Sequence, residues 1–114
     1  MITVDIYQNN SGRAYGFKAT HHGDPIVCAA VSALSLNLVN SIEALTTLKF
    51  TCEHREQGGY LFFEIPSLKL ESENENNKDA LLLFKSFCLG ISSIKESYPK
   101  DIKIITKQLG GTSC

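Results

Sequence analysis

The sequence lacks several features that would assign the protein directly to a functional class. Its 11 basic and 12 acidic residues give a net charge of −1, and this balance argues against direct binding of nucleic acid. It has no unbroken apolar run near the length of about 20 residues that spans a membrane. Residues 1–6 alternate and include Asp5, unlike the basic start and apolar stretch of a signal peptide. These absences predict a cytoplasmic protein outside the membrane.

The sequence also lacks any C-x-x-C pair. Its four cysteines stand at irregular intervals, at positions 28, 52, 88 and 114. In a reducing compartment such cysteines are expected to be free thiols. Cys88 lies in an apolar run and is predicted to be a core residue, because free cysteines often behave as small buried hydrophobes.

A chain of 114 residues is the size of one domain. We expect a single domain over 1–109, followed by a flexible tail at 110–114. Alternating or branched apolar residues predict strands, and apolar residues three or four apart predict helices. The predicted strands cover 2–8, 13–20, 48–54, 60–65 and 102–106, and the predicted helices cover 25–47 and 76–98.

This order, β-β-α-β-β-α-β, predicts an α+β fold with two helices packed on a mixed or antiparallel sheet. Asp24 followed by Pro25 is typical of a helix start. The second predicted helix carries more apolar residues than one sheet normally needs, namely Leu82, Leu83 and Phe87. That excess suggests a contact between subunits.

Reactive side chains concentrate in residues 20–32, where a polar loop leads into the first helix. A nucleophilic thiol needs partial exposure, a stabilised thiolate and a nearby base. Cys28 lies near the positive end of the helix, whose backbone N–H groups are also candidates to bind an oxyanion. His21 or His22 is a candidate base, and Asp24 either caps the helix or orients the imidazole. Spacing alone favours an ordinary core cysteine and solvated histidines.

The segment Ile26-Val27-Cys28-Ala29-Ala30-Val31-Ser32 resembles the central motif of the ribosomal-processing cysteine protease family, Prp. That motif is a Gly-His pair, a short variable loop and a Cys-Ala-x-x-Ser helix start. The flanking layout is also similar, at 1–4, 58–60 and 94–104. The resemblance therefore spans nearly the whole chain, although only the segment around Cys28 is specific.

The resemblance implies a bacterial cysteine endopeptidase that removes the N-terminal extension of a large-subunit ribosomal protein, and it implies a homodimer without a cofactor. Carried over by motif, Cys28 corresponds to the nucleophile, His21 to the base and Ser32 to the motif serine. The chain departs from the motif where Thr20 replaces glycine and His22 replaces alanine. The departures leave His21 and His22 as competing bases and Asp24 and Ser32 as possible supporting residues.

Two other interpretations remain open from the residues. His21, His22, Asp24 and Cys28 are possible zinc ligands, and Cys52 with His54 forms a Cys-x-His pair, although neither spacing matches a standard structural zinc motif. The same fold is also compatible with a catalytically inert module associated with the ribosome.

Overall fold

The structure is a computed structural model that describes residues 1–55, 57–69 and 75–109. Its strands are β1 (Ile2–Gln8), β2 (Ala14–Thr20), β3 (Thr51–His54), β4 (Tyr60–Glu64) and β5 (Ile102–Gln108). Its helices are α1 (Pro25–Leu45) and α2 (Glu75–Ser97), with a short 3₁₀ helix at Pro66–Lys69. The predicted tail at 110–114 lies outside the described residues.

The five strands form one mixed sheet in the order β3-β4-β2-β1-β5. β1 runs antiparallel to β2 and parallel to β5, and β4 runs antiparallel to both β2 and β3. The predicted α+β class and the predicted order of elements are therefore confirmed. The parallel pairing places the last strand beside the first at one edge of the sheet.

Both helices pack on one face of the sheet. On β1 the alternation brings Ile2, Val4 and Ile6 into the hydrophobic core. α1 contributes Val27, Val31, Leu38 and Ile42 to the same core, and these positions follow the predicted helical stripe. The two helices approach closely at Gly90, where a Cβ atom would lie 2.7 Å from a methyl carbon of Leu34. The absence of a side chain at Gly90 thereby allows α2 to pack closely against α1.

Several element boundaries differ from the predicted ones. α1 ends at Leu45, two residues early, because Thr46 adopts an extended conformation and its hydroxyl donates a hydrogen bond to the carbonyl of Ile42 at 2.7 Å. β3 begins at Thr51, so the predicted start at Leu48 was wrong. The 3₁₀ helix was not predicted, since four residues are too few to show a helical period.

α1 is long and apolar enough to cross a membrane by length and composition, with a mean hydropathy of 1.7. Serine and asparagine interrupt its apolar residues, so no unbroken apolar run marks it in the sequence. The core helix of a globular protein meets the same criterion, and the buried side chains of α1 belong to the common core. The hydropathy of α1 is therefore weak support for a membrane span.

Candidate active site

The candidate site forms where the loop after β2 turns into α1. Asp24 caps the helix, because its Oδ1 accepts hydrogen bonds from the backbone N–H groups of Ile26 at 2.9 Å and Val27 at 3.3 Å. Pro25 occupies the first turn, where a missing N–H costs nothing. Within the described residues, Asp24 makes no hydrogen bond to an imidazole, and it does not line the cavity described below. Of its two predicted roles, the structure shows capping.

Cys28 lies at this junction and is half-buried. The backbone N–H of Gly23 donates to Sγ at 3.4 Å, and the thiol in turn faces the carbonyl oxygen of Gly23 at 3.6 Å. These two contacts, with the N–H and with the carbonyl oxygen of Gly23, fix the direction of the Cys28 side chain. The thiol therefore points toward the loop that carries the histidines.

The helix start does not supply the oxyanion donors expected from the sequence. The N–H groups of Ile26 and Val27 are taken by the Asp24 side chain, and that of Cys28 bonds to the Asp24 carbonyl at 2.9 Å. The backbone donor that faces the sulfur is instead the N–H of Gly23. The cap and the first hydrogen bond of the helix therefore occupy these N–H groups, and an N–H group that is already hydrogen-bonded is not available to a substrate.

The loop histidines are held by the turn between β3 and β4. His21 has a positive φ of 74°, and its backbone N–H donates to the carbonyl of Gly59 at 3.0 Å. The imidazole of His22 packs on the same turn, since a Cβ atom on Gly59 would lie 2.6 Å from its Nε2. Gly58 and Gly59 both have a φ of +78°, which favours glycine. The pair of glycines thus permits the close approach of this turn to both histidines.

A cavity of about 520 Å³ joins these groups. It is lined by His21, His22, Cys28 and Ser32 from the predicted site, and Asp24 is outside it. The other lining residues come from β1 and β2, from the rest of α1 and from the strands and turn of the β3–β4 hairpin: Ile2, Ala19, Val31, Ser35, Leu36, Cys52, His54, Arg55, Gly58, Gly59, Tyr60 and Leu61. The structure therefore brings Cys28, His21 and His22 to the lining of one concave space, as expected for an active site.

Sequence reasoning missed the contribution of the β3–β4 hairpin to this cavity. Cys52 and His54 alternate on β3 and so share a face, which the sequence does show. That this face turns toward α1 depends on the strand order, which places β3 at the edge of the sheet beside β4. No local signal in the sequence indicates that order.

The other two described thiols are in less reactive surroundings. Burial raises the pKa of the Cys52 thiol and that of the Cys88 thiol, because a desolvated thiolate is disfavoured. Cys88 also packs against the hydrophobic core, as its apolar sequence context predicts. Neither thiol is therefore favoured as a nucleophile at neutral pH.

The zinc interpretation gains no support from the geometry. Over residues 1–55, 57–69 and 75–109, no three side chains of His, Cys, Asp or Glu come together in a group able to hold a metal ion. His54 and Cys52 share the cavity with Cys28, but sharing a cavity does not bring ligands to within a single coordination sphere.

Comparison with known proteins identifies the family. A family model described as cysteine protease Prp matches residues 1–103. The chain belongs to the Prp family of cysteine proteases. This membership confirms the resemblance seen around Cys28 and the predicted class of enzyme, a cysteine-type peptidase.

Two curated Prp relatives match over nearly their full length. The ribosomal processing cysteine protease Prp of Staphylococcus aureus (strain Mu50) is 29% identical over 110 residues, which cover 91% of this chain and 97% of that protein. The protein of the same name from Bacillus subtilis (strain 168) is 28% identical over 112 residues, covering 93% and 97%. The similarity therefore extends over nearly all of this chain and of both relatives.

A solved Prp structure has the same fold. The crystal structure of the ribosomal processing protease Prp from S. aureus, in complex with a covalently linked product peptide, matches with a TM-score of 0.80 and 29% identity. The match covers 94% of this chain and 100% of that one.

Proposed function

We propose that this protein is a cysteine endopeptidase that removes the N-terminal extension of a large-subunit ribosomal protein, with Cys28 as nucleophile and His21 as base. The observation that carries the proposal is the placement of the half-buried Cys28 and both loop histidines on the lining of one cavity. The relatives' names, which specify ribosomal processing, support the substrate class.

In the proposed mechanism, His21 takes the thiol proton of Cys28 and the sulfur attacks the scissile carbonyl carbon. The N–H of Gly23, which donates to the sulfur at 3.4 Å, stabilises the thiolate that forms. When the carbon–nitrogen bond breaks, the His21 imidazolium protonates the amine that leaves. His21 then activates a water molecule, which hydrolyses the thioester, releases the acid product and restores the thiol.

The supporting residues have separate roles in this mechanism. Asp24 fixes the start of α1 and thereby the position of Cys28. Ser32 follows Cys28 by one helical turn and lines the same cavity, where its hydroxyl can bond to a bound peptide. His22 packs on the Gly59 turn and so holds the wall of the cavity next to His21.

Incubation of the purified protein with a precursor of the ribosomal protein tests the proposal. We expect a shortened product whose mass identifies one cleavage site within the N-terminal extension. The mature protein without its extension is the matched control substrate and should stay uncut. A precursor that binds but keeps its full mass would contradict the protease proposal and would favour the inert ribosome-associated module.

We propose that the protein is a homodimer, with α2 in the contact. The sequence singled out Leu82, Leu83 and Phe87, but Phe87 is only 3% exposed and its ring lies 4.6 Å from that of Phe17 in the core. The exposed leucines of α2 are instead Leu82, which is 68% exposed, and Leu89, which is 72% exposed. They lie seven residues apart and so on one face of the helix. Exposed leucines of this kind are stabilised when a second surface covers them.

The oligomeric state can be measured by sedimentation equilibrium. We expect a mass of two chains for the natural sequence and a mass of one chain for the double variant Leu82→Glu, Leu89→Glu, because two buried charges per subunit oppose association. Lys100→Glu is a control for added charge at an exposed position outside α2. A natural protein that sediments as a single chain at micromolar concentration would contradict the dimer.

We also propose that the protein works in the cytoplasm. The three described cysteines are free thiols, as expected in a reducing compartment, and the proposed substrate is a component of the ribosome.

A further inference from the structure

One arginine on the lining of the cavity has no acidic partner among the described residues. Arg55 follows β3 directly and is exposed. Its guanidinium carbon lies 4.8 Å from the centre of the Tyr60 ring, a cation–π contact that limits where the side chain can point. A guanidinium carries five N–H donors, and those of Arg55 make no hydrogen bond or ion pair within the described part of the chain. Arg55 therefore keeps donors for a bound molecule.

The charges around the cavity favour a ligand that offers oxygen acceptors. The described lining residues include Arg55 and three histidines, and none of them is an aspartate or a glutamate. Glu53 lies between Cys52 and His54 on β3, so its side chain points to the opposite face of the sheet. A carboxylate or carboxamide oxygen thus meets the Arg55 donors without a competing acidic side chain, whereas an ammonium group is repelled.

The pairing of the strands gives the distance between Arg55 and the proposed base. The backbone N–H of Arg55 donates to the carbonyl of Tyr60 at 3.3 Å, and Tyr60 pairs with Thr20 at the end of β2. Arg55 is therefore two strand spacings, about 10 Å, from Thr20, which His21 follows directly. An extended peptide covers about 10 Å with three residues. A substrate side chain about three residues from the scissile bond thus reaches Arg55.

We propose that Arg55 is a specificity-determining residue whose guanidinium donates hydrogen bonds to a carboxylate or carboxamide oxygen of a substrate side chain, about three residues from the cleaved bond. The inference rests on the proposed peptidase function and adds to it a preference for these acceptor side chains over apolar and basic ones. The contact with Tyr60 holds the guanidinium in place before substrate binds, so less side-chain entropy is lost on binding.

Two pairs of peptide substrates test this preference, with each residue placed in turn at the second to fourth position on either side of the scissile bond. Gln against Met compares side chains of similar length with and without an acceptor oxygen, and Glu against Lys compares the two signs of charge. The quantity compared is the ratio of kcat/KM within each pair. At one position, natural protein should prefer Gln by about fivefold, the effect of a single hydrogen bond, and should prefer Glu by about fivefold or more.

Two variants separate the donors of Arg55 from its charge. Arg55→Met removes both and keeps an apolar side chain beside Tyr60, so both ratios should fall to about one. Arg55→Lys keeps the charge but loses the planar set of donors, so it should keep the preference for Glu and lose most of the preference for Gln. Lys49→Met removes a positive charge at an exposed position outside the cavity lining and is the matched control, which should change neither ratio.

Salt adds a readout that a structural role would not move. Raising the ionic strength from about 0.05 M to about 0.5 M should lower the preference of the natural protein for Glu over Lys, because salt screens exposed charges. The preference for Gln over Met should stay nearly the same, since neither of those side chains is charged.

The outcomes distinguish this inference from the proposed function. Cleavage of the precursor with the same ratios in natural protein and Arg55→Met would overturn the inference and leave the peptidase function standing. Both Arg55 variants should melt close to the natural protein, because Arg55 is exposed. Loss of the ratios only in a variant that melts well below it would make the role of Arg55 structural and would also overturn the inference. Absence of any cleavage by the natural protein would overturn both.

Discussion

Replacing Cys28 by alanine is expected to abolish peptide cleavage while leaving the fold intact. The proposed mechanism requires the sulfur to form a covalent bond with the scissile carbonyl carbon, and the alanine side chain cannot do so. We expect kcat to fall by about 10⁴-fold or more, as for other nucleophiles that act through a covalent intermediate. The rate of precursor shortening, followed by mass, measures the loss. The half-buried position of Cys28 means that the smaller side chain leaves no large void in the core.

The matched control is Cys52→Ala, because Cys52 lines the same cavity. The raised pKa of the Cys52 thiol means that little thiolate is present at neutral pH, so this variant should retain activity. Alkylation with iodoacetamide at neutral pH should label Cys28 well before Cys52 and Cys88. Full activity in Cys28→Ala, or equally slow labelling of all three thiols, would show that Cys28 is not the nucleophile.

Replacing His21 by alanine is expected to reduce kcat by about 10²-fold to 10⁴-fold, the contribution typical of a positioned general base. The adjacent variant His22→Ala is the matched control and should reduce it far less. The imidazole of His22 packs on the turn at Gly59, so its removal loosens the cavity wall without removing the proposed base. Steady-state kinetics on the precursor and circular dichroism of both variants separate loss of chemistry from loss of fold.

The assignment of the base depends on this comparison. Should His22→Ala be the inactive variant and His21→Ala the active one, the base lies one residue further along the loop than the family motif implies. Equal and small effects of both substitutions would exclude both loop histidines as the base.

The start of α1 shows how far local sequence can predict a site. Asp24 and Pro25 predict a helix start from the preferences of two adjacent residues, and the structure has the helix and its cap at that place. The cap itself removes the N–H groups of Ile26 and Val27 from any role in oxyanion binding. Local preferences predict where a helix begins, but which donors stay available depends on how the cap side chain is oriented.

The cavity shows where prediction from the sequence ends. The β3–β4 hairpin follows Cys28 by more than twenty residues, and its register and strand order bring Gly59 against His22 and Cys52 into the cavity of Cys28. Those contacts join parts of the chain that are distant in sequence. No periodicity within a single element indicates which other element it will meet.

The sequence by itself determined the type and order of the elements, the helix start at Asp24 and the family to which the segment around Cys28 belongs. The elements and the helix start follow from interactions between residues that are neighbours along the chain, such as caps, turns and apolar periodicity. The family follows from a motif within one short segment. Only the tertiary structure decided that β5 lies parallel to β1, that Gly23 provides the donor facing the sulfur, and that Cys52 and His54 line the same cavity as Cys28. These depend on packing between distant segments, where the same local pattern is compatible with several arrangements.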